Sequence, residues 1–240
     1  FVARRWSLWI TRVVAKATNV CGVGVPARAG NAQLDPDAPL DTRGVPVVAL
    51  AGTCMDSGKT AAACAIVTRL RHNGLRVSAC KATGVALRRD VLAMEDAGAS
   101  DSMIFSDLGI VATTDANGPA LTRSLLTSLA ADKPDAIVLE LGDGLLGAYG
   151  VASILSDTAV RDALTAVVLC ANDPVSAWGG VKILREEHGI EPVIVTGPAT
   201  DNDVGIEQIA ARCSLPAVNA LTNPVALGDM VANLLGRDKK

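Results

Sequence analysis

The amino-acid sequence predicts an α/β fold, with a doubly wound, mostly parallel sheet and helices on both faces. From residue 45 onward, short continuous apolar runs rich in Val, Ile and Leu alternate with segments of helical spacing. Strands that are buried on both faces have such uninterrupted apolar runs, and alternation with helices is typical of parallel sheets. The chain has 240 residues, half of them hydrophobic, which is enough for one large domain with a sizeable core.

The predicted elements follow one another in regular order. Strands are predicted at 45–52, 76–82, 102–107, 135–142, 166–172 and 191–197, with a short one in 216–221. Helices are predicted at 60–72, 90–99, 121–132, 151–164, 175–189 and 204–214, and at the end of the chain. Parallel sheets of this kind bind ligands at the carboxyl ends of their strands, so polar residues at those ends are the candidates for function.

Residues 1–45 do not follow this alternation. We interpret them as an N-terminal segment or the tail of a preceding domain plus a linker, followed by the main domain at 46–240. The stretch 29–46, AGNAQLDPDAPLDTRGVP, is rich in Pro, Asp and Gly, as linkers are. A peripheral strand and helix attached to the main sheet is an equally good interpretation. The first residue is Phe1 rather than Met, which is consistent with a fragment or a truncated reading frame.

Composition excludes several classes of function. The net charge is -3 and aromatic residues make up 2%, so the chain has neither the basic footprint nor the stacking platforms of a nucleic-acid-binding protein. No apolar run approaches the roughly 20 residues of a membrane span. The six cysteines form no CxxC pair, and we expect reduced core thiols in a cytoplasmic protein. We expect neither nucleic acid nor membrane as a partner.

The sequence AGTCMDSGKT follows the first predicted strand and opens a helix. The pattern G-x-x-x-x-G-K-[ST] would need Gly where Thr53 stands, so the loop is a longer form that begins at Gly52. Its backbone N–H groups and the helix N-terminus are suited to binding phosphates. Lys59 is expected on the β and γ phosphates and the Thr60 hydroxyl on Mg²⁺. The predicted phosphate-binding residues are Gly52, Thr53, Asp56, Ser57, Gly58, Lys59 and Thr60. The alternative is an accidental glycine-rich turn.

This loop resembles that of dethiobiotin synthetase and of the cobyric acid and cobyrinic acid amide synthases, which share a broad group with the MinD and ParA ATPases. The order Asp56-Ser57-Gly58-Lys59 is most similar to the cobyric acid type. The resemblance implies ATP and Mg²⁺ as cofactors and a small-molecule substrate. The activity it implies is that of a ligase or kinase that activates a small carboxylate or amine.

Three further motifs are similar to this group, and the resemblance gives each a role. Lys81 in CKATG ends the second strand, and Lys59, Lys81 and Glu140 become the predicted catalytic residues. Asp90 in RRDVLAM, with Glu140 and Thr60, becomes a predicted metal ligand. Glu140 ends the strand of IVLELGDGLLG, where Asp143 is a second candidate acid. The structural alternatives are a surface lysine at 81 and a helix-capping aspartate at 90.

The sequence also departs from this group. Ala82 stands where dethiobiotin synthetase has Pro, and no residues correspond to its diaminopelargonate site or to the glutaminase half of the cobyric acid enzymes. The segment before residue 45 has no counterpart, as in uncharacterised families that place this core behind a separate N-terminal domain.

Two sequence features bear on the choice of nucleotide and on the class of protein. The guanine-reading tetrapeptide Asn-Lys-x-Asp is absent, so ATP is predicted, with Asn172 as a base contact or else a turn former before Pro174. A MinD/ParA-like switch that forms a homodimer stays open, although Thr53 and Cys54 stand where that group carries a second Lys. A non-catalytic nucleotide-binding regulatory domain is the other alternative.

Overall fold

The structure, a computed structural model, describes residues 15–18, 24–27, 34–35 and 37–236. Two short strands, β1 (Ala15–Thr18) and β2 (Gly24–Ala27), form an antiparallel pair. Other predictions for residues 1–33, including a peripheral helix and the thiol of Cys21, concern residues outside this description.

The main sheet has six strands, all parallel, which confirms the predicted α/β fold class. Its strands are β3 (Val47–Gly52), β4 (Val77–Lys81), β5 (Asp101–Ile104), β6 (Ala136–Gly144), β7 (Leu164–Cys170) and β8 (Ile194–Thr196). Their order across the sheet is β5-β4-β6-β3-β7-β8. Every residue of β3 and β4 is buried, because helices cover both faces.

Helices connect successive strands, and the last two helices follow the final strand. They are α1 (Lys59–His72), α2 (Arg89–Asp96), α3 (Gly118–Ala130), α4 (Val151–Ser156), α5 (Thr158–Ala163), α6 (Pro174–His188), α7 (Asp203–Cys213) and α8 (Pro224–Leu234). Short 3-10 turns cover Phe105–Leu108 and Pro198–Thr200. Right-handed crossovers place α1 and α2 on one face of the sheet and α3 to α6 on the other.

Two elements differ from the sequence prediction. The helix predicted over 151–164 is divided in two because Asp157 has an extended backbone and its carboxylate caps a new helix through the N–H of Val160, at 3.0 Å. The strand predicted over 216–221 is reduced to a single bridge between Ala217 and Val195.

The described part of the predicted linker packs along α3. Leu34 and Leu40 contact the hydrophobic core. The N–H of Asp41 donates to Thr127 Oγ1 at 3.1 Å, and Nε of Arg123 donates to the carbonyl of Ala38 at 2.9 Å. Residues 34–35 and 37–45 are therefore held against the main domain by both apolar and polar contacts.

Among the described residues, none of the helices has the length and apolarity needed to cross a membrane.

Candidate functional site

The predicted phosphate loop joins β3 to α1 at the carboxyl edge of the sheet. Its turn requires a left-handed backbone at Gly58, where φ is 90°. The ammonium of Lys59 lies inside the turn, where it donates to the carbonyl of Cys54 at 2.8 Å and approaches Ser57 Oγ at 3.4 Å. A Cβ atom at Gly52 would lie 2.5 Å from that ammonium, which explains the glycine at the end of the strand. The loop thus wraps around one buried positive charge.

Two glycines outside the predicted motif support the loop from behind. A Cβ atom at Gly197, which follows β8 with φ of 93°, would overlap the carbonyl oxygen of Ser57 and lie 2.8 Å from that of Ala171. A Cβ atom at Gly144 would lie 2.7 Å from the carbonyl oxygen of Thr53. No role was predicted for these glycines, although their positions at or near the ends of predicted strands were an available signal.

Glu140 lies beside the loop on the neighbouring strand. In β6 it is in register with Leu50 of β3 and Lys81 of β4, and it is 2% exposed. Oε1 accepts a hydrogen bond from Thr60 Oγ1 at 3.2 Å, whereas the buried Oε2 has no hydrogen-bond partner among the described residues. Burial, followed by the charge of Asp90, raises the pKa of this carboxyl group above its usual range.

These oxygens fit a hard divalent cation. The described residues contain no cluster of three or more His, Cys, Asp or Glu that could hold a metal ion, so the protein here offers few ligands. Mg²⁺ is commonly bound in this way, by one or two protein oxygens together with substrate phosphates and water. The unpartnered oxygen of Glu140 beside the hydroxyl of Thr60 is such a donor pair.

Lys81 and Asp90 form an ion pair at the same edge. Their side chains are 6% and 8% exposed, so the strand-end lysine is buried rather than on the surface. Asp90 does not cap α2: one of its oxygens binds Lys81, and Nε of Arg89 lies 3.4 Å from the other. Removing one partner of a buried pair typically costs about 3–5 kcal/mol, because the other charge is left without compensation.

Glycines also surround the stem of Lys81. A Cβ atom at Gly142 would lie 2.6 Å from Cε of Lys81, and one at Gly84 would lie 3.6 Å from it. The N–H of Gly142 donates to Thr83 Oγ1 at 2.7 Å, which joins the ends of β4 and β6. The stem of Lys81 is therefore closely packed between the ends of β4 and β6.

A cavity of about 470 Å³ brings together most of the predicted site. Buried charges line its inner part: Lys59, Lys81, Asp90 and Glu140. Exposed apolar side chains line its outer part: Met55, Val85 and Leu87. The cavity extends from the phosphate loop past Lys81 toward Arg89.

Asp143 points away from this cavity. Its carboxylate accepts a hydrogen bond from the N–H of Tyr149 at 3.3 Å, and a Cβ atom at Gly147 would overlap it. It supports the loop after β6 and does not line the cavity.

Asn172 lies on the other side of the loop, at the end of β7. It is exposed, and its Nδ2 is 3.1 Å from the Cys54 sulfur. The neighbouring Asp173 caps α6 by accepting from the N–H groups of Val175 and Ser176, each at 2.8 Å. The turn at this strand end therefore depends on Asp173, and Asn172 contacts the phosphate loop.

The described cysteines are free thiols. Cys80, Cys170 and Cys213 are buried, and burial raises the pKa of the Cys170 thiol to about 12. Cys54 and Cys64 are half-buried, and burial together with Glu140 raises the pKa of Cys64 to about 11.

Comparison with solved structures places this geometry among known folds. The signal recognition particle receptor FtsY from Elizabethkingia anophelis matches with a TM-score of 0.51 and 15% identity, over 83% of this chain and 69% of that one. The chain has the fold of a P-loop NTPase. The signal recognition particle 54 kDa protein from Aeropyrum pernix, in complex with GDP, matches with a TM-score of 0.51 and 20% identity, over 85% of this chain. This chain spans about half of that structure, 48%.

A DUF1611 family protein from Anabaena variabilis matches with a TM-score of 0.53 and 16% identity, over 85% of this chain and 63% of that one. No family model and no curated protein sequence matches the chain. These likenesses bear on the fold, and the resemblance to dethiobiotin synthetase stays a prediction.

Proposed function

We propose that the chain binds a nucleoside triphosphate with Mg²⁺ in the loop from Gly52 to Thr60 and hydrolyses it. One observation carries this proposal: the buried ammonium of Lys59 lies in a left-handed glycine turn beside Thr60 and the unpartnered oxygen of Glu140. A positive loop and an oxygen donor pair at one strand edge are what a magnesium-bound triphosphate requires.

The residues divide the work by charge. Backbone N–H groups of the loop bind the phosphates, and Lys59 exchanges the Cys54 carbonyl for phosphate oxygens. Thr60 and Glu140 would hold Mg²⁺, which when bound neutralises charge on the phosphates. Lys81 supplies a second ammonium for the negative charge that develops during phosphoryl transfer.

We propose ATP as the nucleotide. The tetrapeptide Asn-Lys-x-Asp that reads guanine is missing. The acid nearest the end of β7, Asp173, caps α6 and is therefore not available to read guanine in its place. The neighbour crystallised with GDP is similar in fold alone, so its nucleotide does not decide the choice for this chain.

Calorimetry with ATP and GTP tests both parts of this proposal. We expect Lys59→Ala to weaken ATP binding by about 10- to 100-fold, because charge-assisted hydrogen bonds contribute about 1.5–3 kcal/mol. Lys182→Ala is the matched control, since Lys182 is an exposed lysine paired with Glu186 on α6. Equal ATP affinity in wild type and Lys59→Ala would exclude the loop as the nucleotide-binding site. A preference for GTP of tenfold or more, about 1.4 kcal/mol, would overturn the proposal that the nucleotide is ATP.

We further propose that hydrolysis drives a conformational switch of the MinD/ParA type. The hydroxyl of Thr113 links the loop after β4, part of which lines the cavity, to the loop after β6. It accepts from the N–H of Gly84 at 3.1 Å and donates to the carbonyl of Tyr149 at 2.8 Å. A change at the terminal phosphate would therefore reach both loops together.

Phosphoryl transfer to a small acid or amine is the second candidate. It is favoured by the cavity beyond Lys81, where Arg89, Val85 and Leu87 leave room for an acceptor next to the terminal phosphate. Turnover measured with and without a panel of small acids and amines distinguishes phosphoryl transfer to an acceptor from hydrolysis that drives a switch. Stimulation by one of them, with a phosphorylated or ligated product, supports transfer. Nucleotide-dependent dimerisation in sedimentation, without such stimulation, supports the switch.

A further inference from the structure

The carboxylate of Asp90 is engaged by basic side chains and not by the proposed metal site. Its two carboxylate oxygens face Lys81 and Arg89, whereas Glu140 keeps one oxygen without a partner among the described residues. The acid that is available to a divalent cation is therefore Glu140. We propose that Asp90 is a positioning residue that holds the ammonium of Lys81 at the active edge, and that it is not a ligand of Mg²⁺.

Packing keeps this arrangement in place. If Asp90 turned toward a metal ion, the side chain of Lys81, which is only 6% exposed, would lose its carboxylate partner. Lys81 has little room to follow, because its stem packs closely on Gly142, where a Cβ atom would lie 2.6 Å from Cε. A buried ammonium without its carboxylate is strongly disfavoured, so a metal-bound Asp90 would carry the cost of leaving Lys81 unpaired.

The position of the pair gives it a role. Lys81 is in register with Glu140 on the adjacent strand, and both line the cavity together with Lys59. An ammonium fixed at that place meets the terminal phosphate without first having to be ordered, which is how preorganised charge accelerates phosphoryl transfer. This part of the inference rests on the proposed function.

The experiment compares Asp90→Asn and Asp90→Glu with Glu140→Gln, and uses Asp96→Asn as a control. Asp96 is an exposed aspartate near the end of the same helix. Three quantities are measured: turnover of ATP split into kcat and KM, affinity for Mn²⁺ by electron paramagnetic resonance, and the rate at which a small amine-reactive ester acylates Lys81, read by peptide mass spectrometry.

For Asp90→Asn we expect kcat to fall by about tenfold or more, as when one preorganised charge contact is lost, with KM nearly unchanged. Mn²⁺ affinity should stay within about twofold of wild type, whereas Glu140→Gln should lower it by about tenfold or more. Acylation of Lys81 should become faster in Asp90→Asn and return toward the wild-type rate in Asp90→Glu, because the ion pair shields the ammonium. Asp96→Asn should change none of these quantities.

Loss of Mn²⁺ affinity in Asp90→Asn to the extent seen in Glu140→Gln would overturn the inference and make Asp90 a metal ligand. Unchanged acylation of Lys81 would overturn it as well, because the pair would then not hold the lysine. The acylation measurement needs no nucleotide, so failure of the proposed function, seen as absence of ATP turnover in wild type, is distinguished from failure of the ion pair.

Discussion

The two halves of the carboxyl edge differ in how they hold polar groups. In the half formed by β4, β6 and β3, the side chains of Lys59, Lys81 and Glu140 are almost fully buried. In the half formed by β7 and β8, Asn172 is exposed, and the nearby Val175 is 76% exposed. Buried charges need partners, so packing fixes these side chains in the first half, whereas the exposed side chain of Asn172 in the second half is not constrained in this way. We infer that recognition of phosphate is set by the fold and that recognition of the base is weak.

The largest effect should come from the acid in the buried half. Glu140→Gln keeps the shape of the side chain and removes the charge that would face Mg²⁺. We expect magnesium-dependent turnover to fall on the order of 100-fold, because a preorganised charge at the transferred phosphoryl group is lost. The measurement is turnover against Mg²⁺ concentration.

Nucleotide binding without metal should change little in Glu140→Gln, or improve. If turnover depended on Mg²⁺ concentration in the same way in the wild type and the variant, Glu140 would have a structural role. Its burial would then serve packing and not metal binding.

The next largest effect should come from Gly197, where the two halves touch. Gly197→Ala would force a Cβ atom against the carbonyl oxygens of Ser57 and Ala171 at a φ of 93°. We expect a loss of about 2–3 kcal/mol in the free energy of unfolding, from overpacking and backbone strain together. Denaturant unfolding measures this loss.

Gly189→Ala is the matched control. Gly189 also has a positive φ, of 65°, but a Cβ atom there would have no neighbour within 4 Å. It should cost about 1 kcal/mol from backbone strain alone. Equal losses in the two variants would show that the contact behind the phosphate loop is loose.

A smaller effect concerns the stability of the metal-free protein. The pKa of Glu140 is raised by burial, so the folded state holds this proton more tightly than the unfolded state does. The contribution to stability is therefore present below the ordinary carboxyl pKa of 4.5 and is lost as pH rises through the folded-state pKa.

Glu140→Gln avoids this loss. We expect its melting temperature in EDTA at neutral pH to exceed that of wild type by about 2–4 °C, which corresponds to about 1 kcal/mol. The difference should vanish toward pH 4.5, the unfolded-state value. Thermal scans across that pH range are the measurement, and a variant less stable than wild type at neutral pH would contradict the assigned cause.

The smallest effect should come from the exposed half. Asn172→Ala removes an exposed amide next to Cys54, and we expect ATP affinity to change by less than about tenfold, or 1.4 kcal/mol. Calorimetry with ATP and GTP measures it. A larger loss, confined to ATP, would mean that this half reads adenine strongly and that the contrast between the two halves is wrong.

The sequence was sufficient for the features that depend on local pattern. Uninterrupted apolar runs predicted the parallel strands, and the convergence of their ends predicted that Lys59, Lys81 and Glu140 would lie at one edge. The interaction partners of those residues were harder to predict from the sequence. Asp90 was predicted as a metal ligand, yet its ion pair with Lys81 depends on the angle at which α2 meets β4.

The remaining features depend on contacts between distant parts of the chain. The glycines at 144 and 197 are required by close approach of backbones that are far apart in sequence. Asp157 divides a helix whose periodicity is continuous, because its carboxylate also pairs with Arg123 on α3. A glycine near a strand end is a weak local signal of close approach, and pairing across the fold leaves no local pattern.

The segment before β3 determines where a truncated fragment of this domain can begin. A fragment that starts at residue 46 would expose the core surface under Leu34 and Leu40 and would remove the carbonyl of Ala38 that accepts from Arg123. Uncovered apolar surface of this kind promotes association and precipitation. We therefore expect an autonomous folding unit excised from this chain to begin at Leu34 or earlier, well ahead of the first strand of the main sheet.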